Sequence, residues 1–214
     1  MRARSVAWWT MALLALGVAG YALHLVLVPG ARPPLAQALL VKSPVAAFSH
    51  FIGGALALAV GVFQLNTRLR VRFASLHRWF GRIYVLAVLF GGIAGFTLAV
   101  HSTGGPFVQW GFGLLAVSWL GSTFGAYRYI RRRNLAAHRD WMIRSYALTL
   151  AAVTVRLYLP SAQLADLPMA MAYPAIAWLS WVPNLLLAEW IIRSRRAPAV
   201  LPGSAATTSL SNAA

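Results

Sequence analysis

Two things are almost missing from this chain. It has no cysteine, and only 3 of its 214 residues are Asp or Glu. Without Cys there is no disulfide, no thiolate metal site and no thiol nucleophile. With so few carboxylates, no acid is placed to orient a histidine within an apolar run, so no hydrolase constellation stands out. A proton relay lacks its chain of acids for the same reason. There is no HExxH zinc motif and no Gly-rich phosphate loop ahead of a Lys. Charged residues of both signs make up 10% of the chain, where about a quarter is usual in a soluble domain.

What the chain has in excess is apolar. Hydrophobic residues are 60% of it and the mean hydropathy is +0.67, which excludes disorder and argues against a water-soluble domain. A helix needs about 20 mostly apolar residues to cross a bilayer core. Six stretches qualify: 7–28, 45–66, 80–100, 107–128, 140–160 and 172–192. The first is about twice the length of a signal-peptide core and reads as a retained anchor. Residues 1–196 therefore form one membrane domain, and 197–214, small and polar, read as a disordered cytoplasmic tail. Pro29, Pro33 and Pro34 mark the first outer loop, and Gly104-Gly105-Pro106 a turn between the third and fourth spans. Pro160 closes the fifth span, Pro174 opens the sixth and Pro183 kinks it.

The 19 Lys and Arg residues give a net charge of +16 and a pI near 11.8. With the N-terminus inside, one side holds Arg2 and Arg4, then Arg68, Arg70, Arg72, Arg78 and Arg82, then Arg128, Arg131, Arg132, Arg133, Arg139 and Arg144, and lastly Arg193, Arg195 and Arg196. The other side holds Arg32 and Lys42 only, and Arg156 falls within a span. This is the positive-inside pattern, with both termini cytoplasmic in an inner (plasma) membrane. Trp8, Trp9, Trp79, Trp141 and Trp190 fall near the inner boundary. The arginines sit in short loops beside apolar spans, so anionic inner-leaflet lipid, not nucleic acid, is the partner they imply.

The two inner loops repeat each other. Residues 68–84 read RLRVRFASLHRWFGRIY and residues 128–146 read RYIRRRNLAAHRDWMIRSY. Each runs to His-Arg, an aromatic, Arg and Tyr. The second to fifth spans thus form two parallel repeats and a four-helix core, with the first and sixth spans peripheral. Stripes of small and polar residues run along the core spans, with Tyr84, Gly91 and Gly95 on the third, Ser118, Gly121, Ser122 and Gly125 on the fourth, and Ser145, Thr149 and Arg156 on the fifth. Such stripes serve close helix packing, or else leave room for a flat cofactor.

The run HFIGGALALAVGVFQLNTRLRVRFASLHRWFGRIYVLAVLFGGIAGF, followed by HRDWMIRSYALTLAAVTVRL, resembles the bacterial membrane-protein family called domain of unknown function 2306 (DUF2306). The resemblance implies a multi-pass membrane protein and assigns no catalytic residue. There is a fainter likeness to four-helix cytochromes b, which hold haem between paired histidines.

On that likeness His77 and His138, at one level on adjacent repeats, are candidate haem b (metal) ligands, and the alternative is that they are interfacial residues. His50 lies roughly 7 Å inside the outer end of its span at 1.5 Å per residue, with His24 or His101 as neighbours. Arg156 and Arg82 are candidate partners for acidic groups of a cofactor or substrate. The fourth span has no histidine, which counts against a second haem. Glu189 has two candidate partners, Arg193 on its own helix and Arg144 across an interface. Three functions stay open: a haem- or quinone-binding electron-transfer module with a membrane redox partner, a non-redox binder or carrier of a small or lipidic molecule, and a helical scaffold for other membrane proteins.

Overall fold

The computed structural model describes residues 2–196. The tail expected at 197–214 lies outside the described residues, as do the side chains of residues 2–4, 68 and 69. All regular structure in the described residues is helical. The helices are α1 (Arg2–Leu27), α2 (Pro34–Lys42), α3 (Pro44–Leu65), α4 (Thr67–Arg72), α5 (Ala74–Val100), α6 (Gly105–Arg131), α7 (Leu135–Thr149), α8 (Ala151–Leu164), α9 (Met169–Leu179) and α10 (Val182–Arg196). Five segments are long and apolar enough to cross a membrane: Ser5–Leu27, Pro44–Leu65, Ala74–Val100, Leu135–Leu164 and Met169–Arg196. The fourth span of the sequence reading is α6. It matches α5 in length but is less apolar, since it carries Gln109, Ser118, Ser122, Thr123 and Arg128.

The helices alternate in direction. At one end Gln64 of α3 donates to the His77 carbonyl of α5, and Arg196 of α10 reaches Asp140 of α7. At the other, Lys42 donates to the His101 carbonyl and Trp178 to the Phe107 carbonyl. The first end holds the arginine runs. α3, α5, α6 and α7 pack in a ring, α1 lies against α3 and α8, and α9 and α10 lie against α6 and α7. The outward face is strongly apolar, with Leu13, Leu86, Phe90, Phe124 and Trp190 each more than half exposed. Such a surface is a hydrocarbon-facing one.

Two expectations about proline, at Pro160 and Pro174, need correction. Pro160 does not close the fifth span, because α8 continues through it to Leu164. Proline removes one N–H, here the donor to the Arg156 carbonyl, and a helix survives that single loss when neighbouring turns hold. Pro174 lies inside α9, which starts five residues earlier at Met169. Pro183 is the second residue of α10, and the helix is interrupted just before it, at Ser180 and Trp181. The first outer loop is not all irregular, since α2 occupies most of it.

The closest helix contact is α3 on α5. A Cβ placed on Gly53 would lie 2.7 Å from the Ala87 carbonyl oxygen and 2.8 Å from Gly91 Cα. Both are backbone atoms, so no side chain can move aside. The Gly91 stripe therefore serves packing. Gly95 and Gly125 make room for rings, the His50 imidazole and the Trp141 indole, while Gly54 and Gly121 face open space. Gly53→Ala should destabilise the folded protein by about 1–3 kcal/mol through overpacking, whereas Gly54→Ala should be close to neutral. Unfolding midpoints of the two variants in one detergent check this.

Candidate functional site

The centre of the helix ring is polar and closed. Thr149 Oγ1 is its hub: it accepts from Trp119 Nε1 at 2.8 Å, lies 2.9 Å from Tyr84 Oη and donates to the Ser145 carbonyl at 2.9 Å. Ser145 Oγ lies 2.8 Å from Tyr84 Oη and 2.6 Å from Thr123 Oγ1. Tyr146 Oη donates across the ring to the Leu58 carbonyl of α3 at 3.1 Å. All of these side chains are buried, and Tyr84 and Ser145 are inaccessible. Gly61 is what admits Tyr146, for a Cβ there would sit 2.1 Å from the ring. The pattern follows from burial in hydrocarbon, where each hydroxyl and indole N–H must find a partner within the protein.

At the arginine-rich end lie two histidines, His77 and His138. The local sequence builds this corner. Arg133 takes a left-handed φ of 58°, and the Asn134 N–H returns to the Tyr129 carbonyl, which closes α6 in a Schellman-type turn. Asn134 Oδ1 then accepts from the Ala137 N–H and caps α7. α7 starts at once beside the end of α6, and His138 Nδ1 donates to the Ala126 carbonyl at 2.8 Å. A carbonyl only accepts, so Nδ1 carries the proton and Nε2 is left as the basic nitrogen. His77 lies close enough to His138 for their charges to interact.

The room between them and the core is limited. Gln64, buried, reaches from α3 to the His77 carbonyl. Two turns further in, Tyr84 and Tyr146 fill the ring. Two concavities lie on the outer faces. One, of about 450 Å³, runs between α3 and α5, and the other, of about 380 Å³, lies between α1 and α3. A porphyrin between the core helices would need the space these side chains occupy, so the residues present do not fit a haem held inside the ring. Among the described residues no cluster of three or more His, Cys, Asp or Glu is placed to hold a metal ion.

The repeat motif recurs in contacts. Arg82 lies over the Trp79 ring at 4.9 Å and Arg144 over the Trp141 ring at 4.8 Å. Two residues on from each arginine comes a buried tyrosine, Tyr84 after Arg82 and Tyr146 after Arg144. Arg144 also holds Glu189 of α10 through two parallel bonds, at 2.5 and 3.0 Å. Of the two partners expected for Glu189, the one across the helix interface is the bonded one. A bidentate pair of this kind fixes both distance and orientation.

With this geometry in place, comparison with known families is informative. The profile of the family described as predicted membrane protein (DUF2306) matches residues 47–192. The chain belongs to this family. The matched part runs from α3 to α10 and contains both His-Arg blocks. No curated protein and no solved structure matches the chain. The DUF2306 match establishes membrane association and, like the family itself, leaves the biochemical role open.

The arginine-poor half of the DUF2306 core carries the second set of candidates. His50 Nδ1 donates to the Gly91 carbonyl at 2.9 Å, again leaving Nε2 unprotonated. Arg156 of α8 lies near enough for its charge to act on His50. Its Nη1 donates to the Ala152 carbonyl at 2.9 Å, and its guanidinium lies 5.8 Å from the Tyr21 ring of α1. Among the described residues it meets no carboxylate. His101 bonds instead to Thr97 of its own helix, so neither it nor His24 is shown meeting His50.

The sequence reading placed Tyr84, Ser145 and Thr149 in its polar stripes but missed Trp119, Thr123 and Tyr146. The signal was present: Trp119 and Thr123 are four apart, on one face of α6, and Tyr146 holds the repeat position of Tyr84. Thr149→Val should leave Trp119 Nε1 and Tyr84 Oη short of their shared partner and destabilise the protein by about 1–3 kcal/mol. Thr149→Ser should restore most of that loss. Thermal unfolding of both variants tests the hub, and equal midpoints for wild type and Thr149→Val would argue against it.

Proposed function

We propose that this protein is a six-span inner-membrane protein that binds a small amphipathic molecule by its acidic head, at Arg156 and His50. The carrying observation is Arg156: a guanidinium deep in a span, without a carboxylate among the described residues, beside a histidine whose Nε2 is unengaged. An intramembrane charge is costly and usually serves a ligand or a path. A carboxylic acid would pass its proton to the unprotonated Nε2 of His50, and the carboxylate so formed would accept from the guanidinium's remaining N–H donors. α6, the fourth span, brings the crossings to six in this reading, and the arginine-rich end, with both termini, faces the cytoplasm and its anionic lipid. The matched Arg-over-Trp pairs support two parallel repeats.

A second reading, b-type haem on His77 and His138 with a membrane redox partner, draws on the nearness of the two imidazoles and the anchored Nδ1 of His138. The filled interior favours the first.

The test compares oleate with oleyl alcohol, which has the same chain without the carboxylate. Oleate should raise the unfolding temperature of the purified protein, and oleyl alcohol should not. Arg156→Gln should weaken oleate binding about ten- to hundredfold, the loss of about 1.5–3 kcal/mol from one charge-assisted contact. Equal stabilisation by both probes, or an unchanged response in Arg156→Gln, contradicts the proposal.

A further inference from the structure

The two repeats differ in what their arginines hold. Arg144, stacked on Trp141, is satisfied by the Glu189 carboxylate of α10. Arg82, stacked on Trp79 in the same way, meets no carboxylate among the described residues, and both side chains are exposed. The geometry of the first repeat thus repeats the cation and the indole but not the anion.

Directly beyond Arg82 lies the larger outer groove. Ile83, Leu86, Ala87 and Phe90 of α5 form one wall, and α3 forms the other from Leu56 to Phe48. Arg82, Leu86 and Phe90 are four residues apart and share a face of α5. Helical side chains lean toward the helix N-terminus, so the Arg82 guanidinium leans to the arginine-rich end, away from the groove. The groove is mostly apolar in its lining, with Gly53 and Ser49 among the α3 residues that face it.

From this juxtaposition we infer a phospholipid site: an anionic lipid of the arginine-rich leaflet sets its phosphate against Arg82 and Trp79 and one acyl chain in the α3–α5 groove. The apolar lining suits an acyl chain, and the exposed cation at its end suits a phosphate. A second copy of this chain cannot supply the missing carboxylate. Of its three acids, Glu189 is held by Arg144 and Asp140 by Arg196, and Asp166 follows α8 at the opposite end. This site is separate from the one at Arg156, and each can fail without the other.

The full chain is reconstituted in nanodiscs of phosphatidylcholine and phosphatidylglycerol in equal parts, released into mild detergent and weighed by native mass spectrometry. Wild type should retain one phosphatidylglycerol in preference to phosphatidylcholine. Arg82→Gln should reduce that retention about tenfold, and Arg82→Lys should keep most of it. Leu86→Trp, which fills the groove and leaves the cation in place, should also reduce it. Arg82 is exposed, so unchanged thermal unfolding is expected in Arg82→Gln and shows that the fold is intact. Equal retention of the two lipids, retention unaffected by both Arg82→Gln and Leu86→Trp, or a co-purifying protein lost from Arg82→Gln with lipid unchanged would overturn the inference.

Discussion

Hydrocarbon gives a polar group no second chance, and this constraint shapes the middle of the molecule. The chain places Tyr84, Trp119, Thr123, Ser145, Tyr146 and Thr149 where lipid water is absent, and each must be answered from within. The answer is a connected set of bonds centred on Thr149 that joins α5, α6 and α7, with Tyr146 tying in α3. Such a network locks the helices in one register, because a shift of one residue would break several bonds together. Among the described residues, Ser180 Oγ at the α9–α10 interruption and Trp8 Nε1 are the buried polar atoms without a partner.

The closed centre divides the protein into two chemical ends. One collects arginine, tryptophan and the His77–His138 pair; the other holds a single deep guanidinium beside His50. The ion pairs lie at the first end, where Arg144–Glu189 and Arg196–Asp140 bind α10 to α7. These two pairs use two of the three acids in the chain, and the positive charge left over is available to phosphate groups outside the protein.

Much of this was legible in sequence for physical reasons. Apolar runs report lipid-facing helices because only helices satisfy their own backbone in a bilayer, so six stretches stood out in the sequence, and five helical segments are long and apolar enough to cross a membrane. α6 is less apolar because it faces the ring and carries part of the network, and its glycines and hydroxyls dilute the signal. The His-Arg repeat has a counterpart in the two Arg-over-Trp contacts, Arg82 on Trp79 and Arg144 on Trp141. Contacts were harder to read. Whether a small-residue stripe admits a backbone, a ring or a cofactor depends on the opposite helix: Gly53 meets backbone, Gly61 meets Tyr146 and Gly121 meets nothing. Proline was misread at Pro160 and Pro174 because a missing N–H marks a weak point, and only the surrounding packing decides whether the helix stops there.

The account turns on the interior being filled by side chains and not by a prosthetic group. The most direct measurement is the visible spectrum of the purified protein after expression with excess haem. A featureless spectrum above the aromatic bands is the result predicted here. A stoichiometric Soret band that shifts on reduction and disappears when His77 and His138 are replaced would contradict it.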